Sequence, residues 1–292
     1  MVSIGGFHNC RRSRKDSCKP AVPGEEDWMS AGTVSAQWNI YRDGWSRAEG
    51  EAIGEALVTI SVNAEGWVTL MCTPCQQDLL ALGFLVSEGV IDSMDDVDHV
   101  HVSEDGCCVD VWLQNSVELP KRGIITSGCG GGVTFEEPEA DIEPLTSELQ
   151  ISPERLFALF RQLHIPDGLH ARARGVHASG LTDGKKIIAL AEDVGRHNTL
   201  DKLRGSCLLQ GIATEGLALL ATGRISSEML RKGAKMGCPI IASRNSPTSL
   251  AIAMARAWGI TLIGYARQGT MRVYTRPDRL GYESDSPADA AT

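Results

Sequence analysis

From about residue 170 the chain alternates short apolar runs with helical stretches, and this rhythm restricts its fold more than any other feature. Ile187 to Ala191 is an apolar run followed by a loop and a helix from Asn198. Leu217 to Ala221 reads as a strand and Ser226 to Met236 as a helix; Ile240 to Ala242 is the next strand, Pro247 to Trp258 the next helix, and Thr261 to Tyr265 a further strand. Short apolar runs bounded by polar loops read as buried strands, and helices between them lay successive strands side by side in parallel. The expected class is α/β, with a mostly parallel sheet covered by helices.

The first half reads differently. Residues 1 to about 45 are polar, with a basic cluster at Arg11, Arg12, Arg14 and Lys15, although Trp28, Trp38 and Trp45 suggest that the later part lies on a folded body. Regular structure is expected from near Glu55, where Ala56 to Val62 and Trp67 to Cys72 form a hairpin. Thr73-Pro74 then opens a helix that closes at Ser87-Glu88-Gly89, and strands follow around Val97 to Val102 and Cys107 to Leu113. Pro138 to Pro144 is acidic and proline-bearing, a linker or surface loop, and Ser152-Pro153 starts a helix running through Leu163. The resulting division is an extension over 1–50, partly disordered, then a strand-rich subdomain over 51–145. An α/β ligand-binding core over 146–280 and a disordered tail over 281–292 complete it.

Chemistry concentrates where the strands end. Glu192-Asp193-Val194-Gly195-Arg196-His197, Thr222-Gly223-Arg224-Ile225-Ser226, Ser243-Arg244-Asn245-Ser246 and Ala266-Arg267-Gln268-Gly269-Thr270 each follow an apolar strand. In open α/β sheets ligands bind at the carboxyl ends of strands, where helix N-termini offer N–H donors and a positive dipole end. Arg196, Arg224, Arg244 and Arg267 recur in these loops, and arginine beside a helix N-terminus recognises phosphate. An anionic ligand is the first inference. Each piece also has a plainer reading: Asn198 and Asp201 as a capping pair, Ser246 as the cap before Pro247, Arg224 paired with Glu228 on the surface, and His197 as a hydrogen-bonded core histidine. His170, Arg172, Arg174 and His177 suit a pocket, or a solvated strand edge.

The net charge of −9 argues against a general nucleic-acid binder. No stretch approaches the roughly 20 apolar residues of a membrane span. Arg11-Arg12 is followed by Pro20, Pro23 and acidic residues rather than an apolar export segment, so a cytoplasmic location is expected. Nine cysteines without a signal segment favour thiol or metal chemistry over a disulfide framework. Cys107, Cys108 and Cys207 read as structural. Cys129 stands apart, inside Gly128-Cys129-Gly130-Gly131-Gly132 after the β-branched Ile124-Ile125-Thr126. Glycine backbones can form an anion-binding nest that stabilises a thiolate, and a plain glycine turn explains the stretch equally well. Cys72-Thr73-Pro74-Cys75 is compatible with packing, a redox pair or, last, two zinc ligands; Cys10 and Cys18 do not complete a zinc site.

Taken together these segments resemble the FdhD/NarQ family of formate dehydrogenase accessory sulfurtransferases, from about Glu55 to Leu280. The likeness rests on Leu70-Met71-Cys72-Thr73-Pro74, Leu82-Gly83-Phe84-Leu85-Val86-Ser87-Glu88-Gly89 and Thr126-Ser127-Gly128-Cys129-Gly130. Glu192 through Lys202, Thr222 through Met229, and Gly264-Tyr265-Ala266-Arg267 with Val273-Tyr274 complete it. The resemblance implies a cytidine deaminase-like α/β fold and a homodimer. It further implies that sulfur is accepted from a cysteine desulfurase as a persulfide and passed to the molybdenum or tungsten bis-guanine-dinucleotide cofactor. That cofactor is bound as a substrate destined for the catalytic subunit of formate dehydrogenase, with no tightly bound metal of the protein's own. On this reading Cys129 carries the persulfide. Tyr265, Ala266, Arg267, Gln268, Gly269 and Thr270 match the family's cofactor segment, and Arg196, His197, Arg224 and Ser226 line the same site. Gly132 stands where many members have a second loop cysteine, which leaves open whether Cys72 or Cys75 assists. The zinc deaminase signature is absent. The alternatives are a cofactor-binding chaperone that transfers no sulfur, and a thiol-redox protein using Cys72 and Cys75.

Overall fold

A computed structural model describes residues 32–121, 123–125, 133–135 and 142–282. The basic N-terminal cluster, the Cys129 stretch and most of the acidic stretch before Pro144 lie outside the described residues, as does the expected tail from 283 on.

Regular structure begins earlier than near Glu55. β1 (Thr33–Tyr41) and β2 (Trp45–Ile53) form an antiparallel hairpin around a turn with positive φ at Asp43 and Gly44. Its period-2 pattern (Val34, Ala36, Trp38, Ile40) is strand-like, but most of its side chains stay exposed. The base is fastened by Arg172, whose guanidinium binds Glu51 at 2.6 Å and also Thr33, so one of the arginines considered for a pocket serves as an anchor instead.

β3 (Ala56–Val62), β4 (Glu65–Cys72), β5 (Val97–Val102) and β6 (Cys108–Leu113) make a four-stranded sheet of order β4-β3-β6-β5. One face packs on α1 (Gln77–Ser87), which starts three residues past Pro74, behind a Gln76 held at φ 55°. β7 (Ile124–Ile125) and β8 (Val133–Thr134) are a separate antiparallel pair flanking the Cys129 stretch.

After α2 (Pro153–Gln162, capped by Ser152) and the short α3 (Leu169–Ala173) comes the larger sheet. It contains β9 (His177–Thr182), β10 (Ile187–Asp193), β11 (Ala218–Ala221), β12 (Ile240–Ser243), β13 (Thr261–Arg267) and β14 (Thr270–Val273), in the order β10-β9-β11-β12-β13-β14. Only its centre is parallel: β11-β12-β13 are joined through α5 (Ser227–Lys235) and α6 (Ser249–Ala257), whereas both flanks are antiparallel. The sheet is therefore mixed, because tight turns at Asp183-Gly184 and Gln268-Gly269 reverse the chain where a helical crossover would have kept it parallel. Alternate residues serve opposite faces. Leu219, Ala221, Ile241 and Leu262 meet α5, α6 and α4 (Arg196–Leu209), while Ala218, Leu220, Ile240 and Ile263 meet α2.

Two further helix starts shift for identifiable reasons. α4 begins at Arg196, before Asn198, whose amide instead donates to Met71 O at 2.8 Å and Asp193 Oδ1 at 2.9 Å. α6 is capped by Thr248 and not Ser246, because the Ser246–Thr248 backbone is extended against Ile225: Ile225 N donates to Ser246 O at 3.1 Å and Thr248 N to Ile225 O at 2.9 Å. Among the described residues no helix is long and apolar enough to cross a membrane.

The two sheets are joined where α1 crosses α4. A Cβ on Gly83 would fall 1.7 Å from Asp201 O, and one on Gly205 would fall 2.0 Å from Leu79 O, so the two backbones touch. Gly83→Ala is expected to lower stability by about 3 kcal/mol, since neither contact is a side chain that can swing away. Urea unfolding followed by circular dichroism tests this; a midpoint equal to the parent's would show that the helices separate without cost.

Candidate functional site

β11, β12 and β13 end on one edge of the larger sheet, where β10 also ends, at Glu192 and Asp193, and antiparallel β9 begins, at His177. The loops leaving this edge are stitched to each other through the backbone. Arg244 N donates to Ala221 O at 3.1 Å, Ser243 Oγ to Gly223 O at 2.5 Å, and Tyr265 N to Asn245 O at 3.1 Å. A Cβ on Gly223 would lie 3.0 Å from Arg196 Cβ and 3.3 Å from His177 Nδ1, so these three residues are neighbours.

Several expected site residues meet here. Arg196 and His197 open α4, and Ser226 caps α5 by accepting from Met229 N. His197 Nε2 is 3.3 Å from both Ser226 Oγ and Glu228 Oε2. Arg224 is exposed on the loop before Ser226. Its surface pairing with Glu228 does not form: Glu228 is buried and faces His197 and Lys232. Two helix N-termini and the Arg196 and Arg224 side chains at one edge are the donor set an anionic phosphate takes. The 265–270 segment is the end of β13 and its hairpin turn. Tyr265 and Gln268 both hold φ 54°, and the Arg272 guanidinium lies 4.3 Å from the Tyr265 ring centre. Arg267, Gln268, Gly269 and Thr270 are exposed, while the Ala266 methyl is in the core. Arg244 turns the other way, to Phe160 O at 3.0 Å and to His164, whose ring lies tilted at 35° to that of His170 with centroids 4.5 Å apart.

Under this edge lie buried charged groups, among them Asp201, which binds Lys232 and Ser87 and does not pair with Asn198 as a cap. Lys202 is fully buried and its ammonium is spoken for by Asp193 at 2.6 Å, Thr73 O at 3.2 Å and Cys75 Sγ at 3.9 Å. Lys232 binds both oxygens of Asp201, at 2.7 and 2.8 Å, and Ser87 Oγ donates to the same Asp201 at 2.9 Å. Burial alone would pull both lysines down, but the facing carboxylates outweigh it and hold both ammonium groups charged. Nothing in the local sequence of Arg231, Lys232 and Asp201 sets them apart, because they stand in helices that carry other polar and charged residues. Burial, then Lys232 and Arg196, push His197 down to about 3, so it is a neutral imidazole at neutral pH. Burial and Arg196 lower His177 as well.

Cys129, the expected sulfur carrier, lies outside the described residues. Its flanks do not: Ile125 pairs with Val133 and Ile124 with Thr134. Thr134 Oγ1 accepts from Arg231 at 2.6 Å and donates to the Glu88 carboxylate at 3.0 Å. Helix α5 thus carries Ser226 and Glu228 at its start and, one turn on, the arginine that holds the strand after Cys129. Cys72 is fully buried and its thiol is pushed far up by burial and Asp193. Cys75 is half-buried and is also raised by burial, against the pull of Lys202. Neither is set up as a thiolate nucleophile. The turn they share is nonetheless docked on the Glu192–His197 loop, with Thr73 N donating to Asp193 at 3.1 Å and Val194 N to Thr73 at 3.0 Å. Among the described residues no cluster of three histidine, cysteine or acidic side chains could hold a metal.

The profile of the FdhD/NarQ family matches residues 53–281. "Sulfur carrier protein FdhD" of Bacillus subtilis (strain 168) is 36% identical over 249 residues, covering 83% of this chain and 95% of its own. The protein of that name from Staphylococcus aureus (strain MRSA252) is 32% identical over 234 residues, covering 78% and 88%. A crystal structure from Desulfotalea psychrophila, assigned as a formate dehydrogenase accessory protein, superposes with a TM-score of 0.70 at 28% identity, over 85% of this chain and 99% of its own.

A histidine in an unfolded chain takes its proton near pH 6.5, whereas folded His197 does so near 3. Between those values the unfolded state binds more protons, so His197 costs stability as pH falls, by about 1.4 kcal/mol per unit. Urea unfolding at pH 7 and pH 5 should show the parent losing about 2 kcal/mol more than His197→Gln. Equal losses would mean that His197 is protonated in the fold.

Proposed function

The chain belongs to the FdhD/NarQ family, and from that membership we propose that it is a sulfur carrier that loads Cys129 as a persulfide and delivers the sulfur to a guanine-dinucleotide cofactor during formate dehydrogenase maturation. The observation that carries the reading is the double use of α5. The helix that opens at Ser226, in the arginine-bearing anion site, also holds Thr134, in the strand that follows the cysteine stretch.

The donor is a cysteine desulfurase bearing a persulfide. The Cys129 thiolate attacks the terminal sulfur of that persulfide; the new S–S bond forms as the donor's S–S bond breaks, and the donor leaves as its own thiolate. No net oxidation occurs in this step. The molybdenum or tungsten bis-guanine-dinucleotide cofactor is the substrate that receives the sulfur. Arg196 and Arg224, with the N-termini of α4 and α5, bind its phosphates; the 265–270 hairpin contributes the adjoining wall. Neutral His197, between Ser226 and Glu228, orders that loop without adding charge. Turning the terminal sulfur into a sulfide ligand takes two electrons, which two external thiols supply as they join in one disulfide, and Cys129 returns as a thiol. The protein acts as a cytoplasmic homodimer and hands the cofactor to the catalytic subunit of formate dehydrogenase.

Incubation with a cysteine desulfurase and cysteine, followed by peptide mass spectrometry, tests the chemistry. One reducible sulfur is expected on the Cys129 peptide and none in Cys129→Ala, which still binds GDP. Sulfur on Cys75 would move the active site, and GDP binding with no sulfur anywhere would favour a cofactor chaperone. In the same protein Arg224→Ala is expected to weaken GDP binding about tenfold, read by calorimetry.

A further inference from the structure

β8 is too short to place itself. It is a two-residue strand whose partner, β7, is also two residues long, and so small a ladder has little stability of its own. Glu88, at the end of α1, supplies the missing restraint. Its carboxylate is buried and accepts from Thr134 Oγ1 at 3.0 and 3.2 Å and from Phe135 N at 2.7 Å. Arg231, 1% exposed, donates to the same hydroxyl at 2.6 Å and stands 3.6 Å from Glu88 Oε1. The Thr134 hydroxyl is therefore used in both senses, as donor to the carboxylate and acceptor from the guanidinium.

A buried carboxylate and guanidinium are a costly way to hold two residues, since a well-packed apolar cluster would stabilise the chain as well or better. What the pair gives instead is direction. It fixes β8 to α1 and α5 at a single register, and β8 fixes β7 across the rungs Ile124–Thr134 and Ile125–Val133. These rungs are the described residues nearest in sequence to Cys129 on either side. The clamp is also continuous with the anion site: Ser87 beside Glu88 reaches Asp201, Asp201 reaches Lys232, Lys232 is 3.7 Å from Glu228, and Glu228 faces His197.

We propose that Glu88 and Arg231 are positioning residues for the sulfur-loading step: through Thr134 they hold the two short strands on either side of the cysteine stretch, and loading of Cys129 depends on that hold. The inference rests on the sulfur-carrier reading and adds residues to it. Neither side chain touches the reacting sulfur; both act through the strand.

The test compares Thr134→Val, which removes only the hydroxyl, with Thr134→Ser, which restores it, in the full chain. Sulfur loading of Cys129 from a desulfurase is expected to slow about tenfold in the valine variant and to return to the parent rate in the serine variant. GDP affinity and alkylation of Cys75 by iodoacetamide should stay unchanged in both. Equal loading in all three proteins would overturn the clamp while leaving the sulfur-carrier reading intact. Equal slowing in both variants would reduce the contact to a fold contribution and overturn it too. If the parent takes no sulfur at Cys129, the sulfur-carrier reading falls, and the iodoacetamide rate at Cys129 decides. A change of about threefold or more in the valine variant, reversed in serine, supports the clamp; an unchanged rate removes it. Should the valine variant not fold, Arg231→Lys is measured in its place, with the same slowing expected; parent-like loading in it overturns the clamp.

Discussion

Two helices can close until their backbones touch only where neither carries a side chain, and Gly83 on α1 and Gly205 on α4 meet that condition. Each helix is bound to its own sheet, α1 to the four-stranded one and α4 to the six-stranded one. The crossing therefore sets the distance between the two halves of the protein. It also brings the start of each helix and the end of α1 beside groups on the other side: Thr73 beside Asp193, Ser87 beside Asp201. α1 has almost no exposed surface as a result, and its apolar residues face in every direction.

Bringing backbones this close traps charge between them. Lys202 and Lys232 sit in the joint with Asp193 and Asp201, and each ammonium has acceptors at hydrogen-bond distance. Ion pairs so deeply buried recover little more than their desolvation, so their worth lies in geometry. A lysine that must satisfy Asp193, the Thr73 carbonyl and Cys75 at once allows one placement of the loop that carries Arg196 and His197. Lys232 does the same for the approach of α5 to α4. The proposed anion site is thus framed by three loops whose positions are fixed from beneath by salt bridges and from the side by backbone hydrogen bonds.

Much of this was legible in the chain. The apolar runs at Ile187, Leu217, Ile240 and Thr261 are strands because burial on both sheet faces demands unbroken hydrophobicity, and the polar loops after them do share one edge. Arg196, His197 and Ser226, read from two separate strand-end loops, do converge. What sequence spacing could not show is partnership across long separations. Asn198 looks like a cap until Met71 and Asp193 claim its amide; Ser246 looks like a cap until Ile225 claims its backbone. Arg172 looks like a pocket cation until Glu51 pairs with it. The β1–β2 hairpin escaped because the alternation of Val34, Ala36, Trp38 and Ile40 in β1 has no counterpart in the largely polar β2. Glu88 escaped because its partners, Thr134 and Arg231, lie far from it along the chain.

The same hairpin, Ile53 excepted, stands outside the residues that the family profile matches, and none of its side chains belongs to the hydrophobic clusters of the described chain. Mutations there cost the rest of the protein almost nothing, provided Thr33 and Glu51 keep their grip on Arg172. Those 21 residues are therefore free of the backbone contact that constrains α1 and α4, and Trp38, Tyr41 and Trp45 can be replaced without touching the joint beneath the strand-end loops.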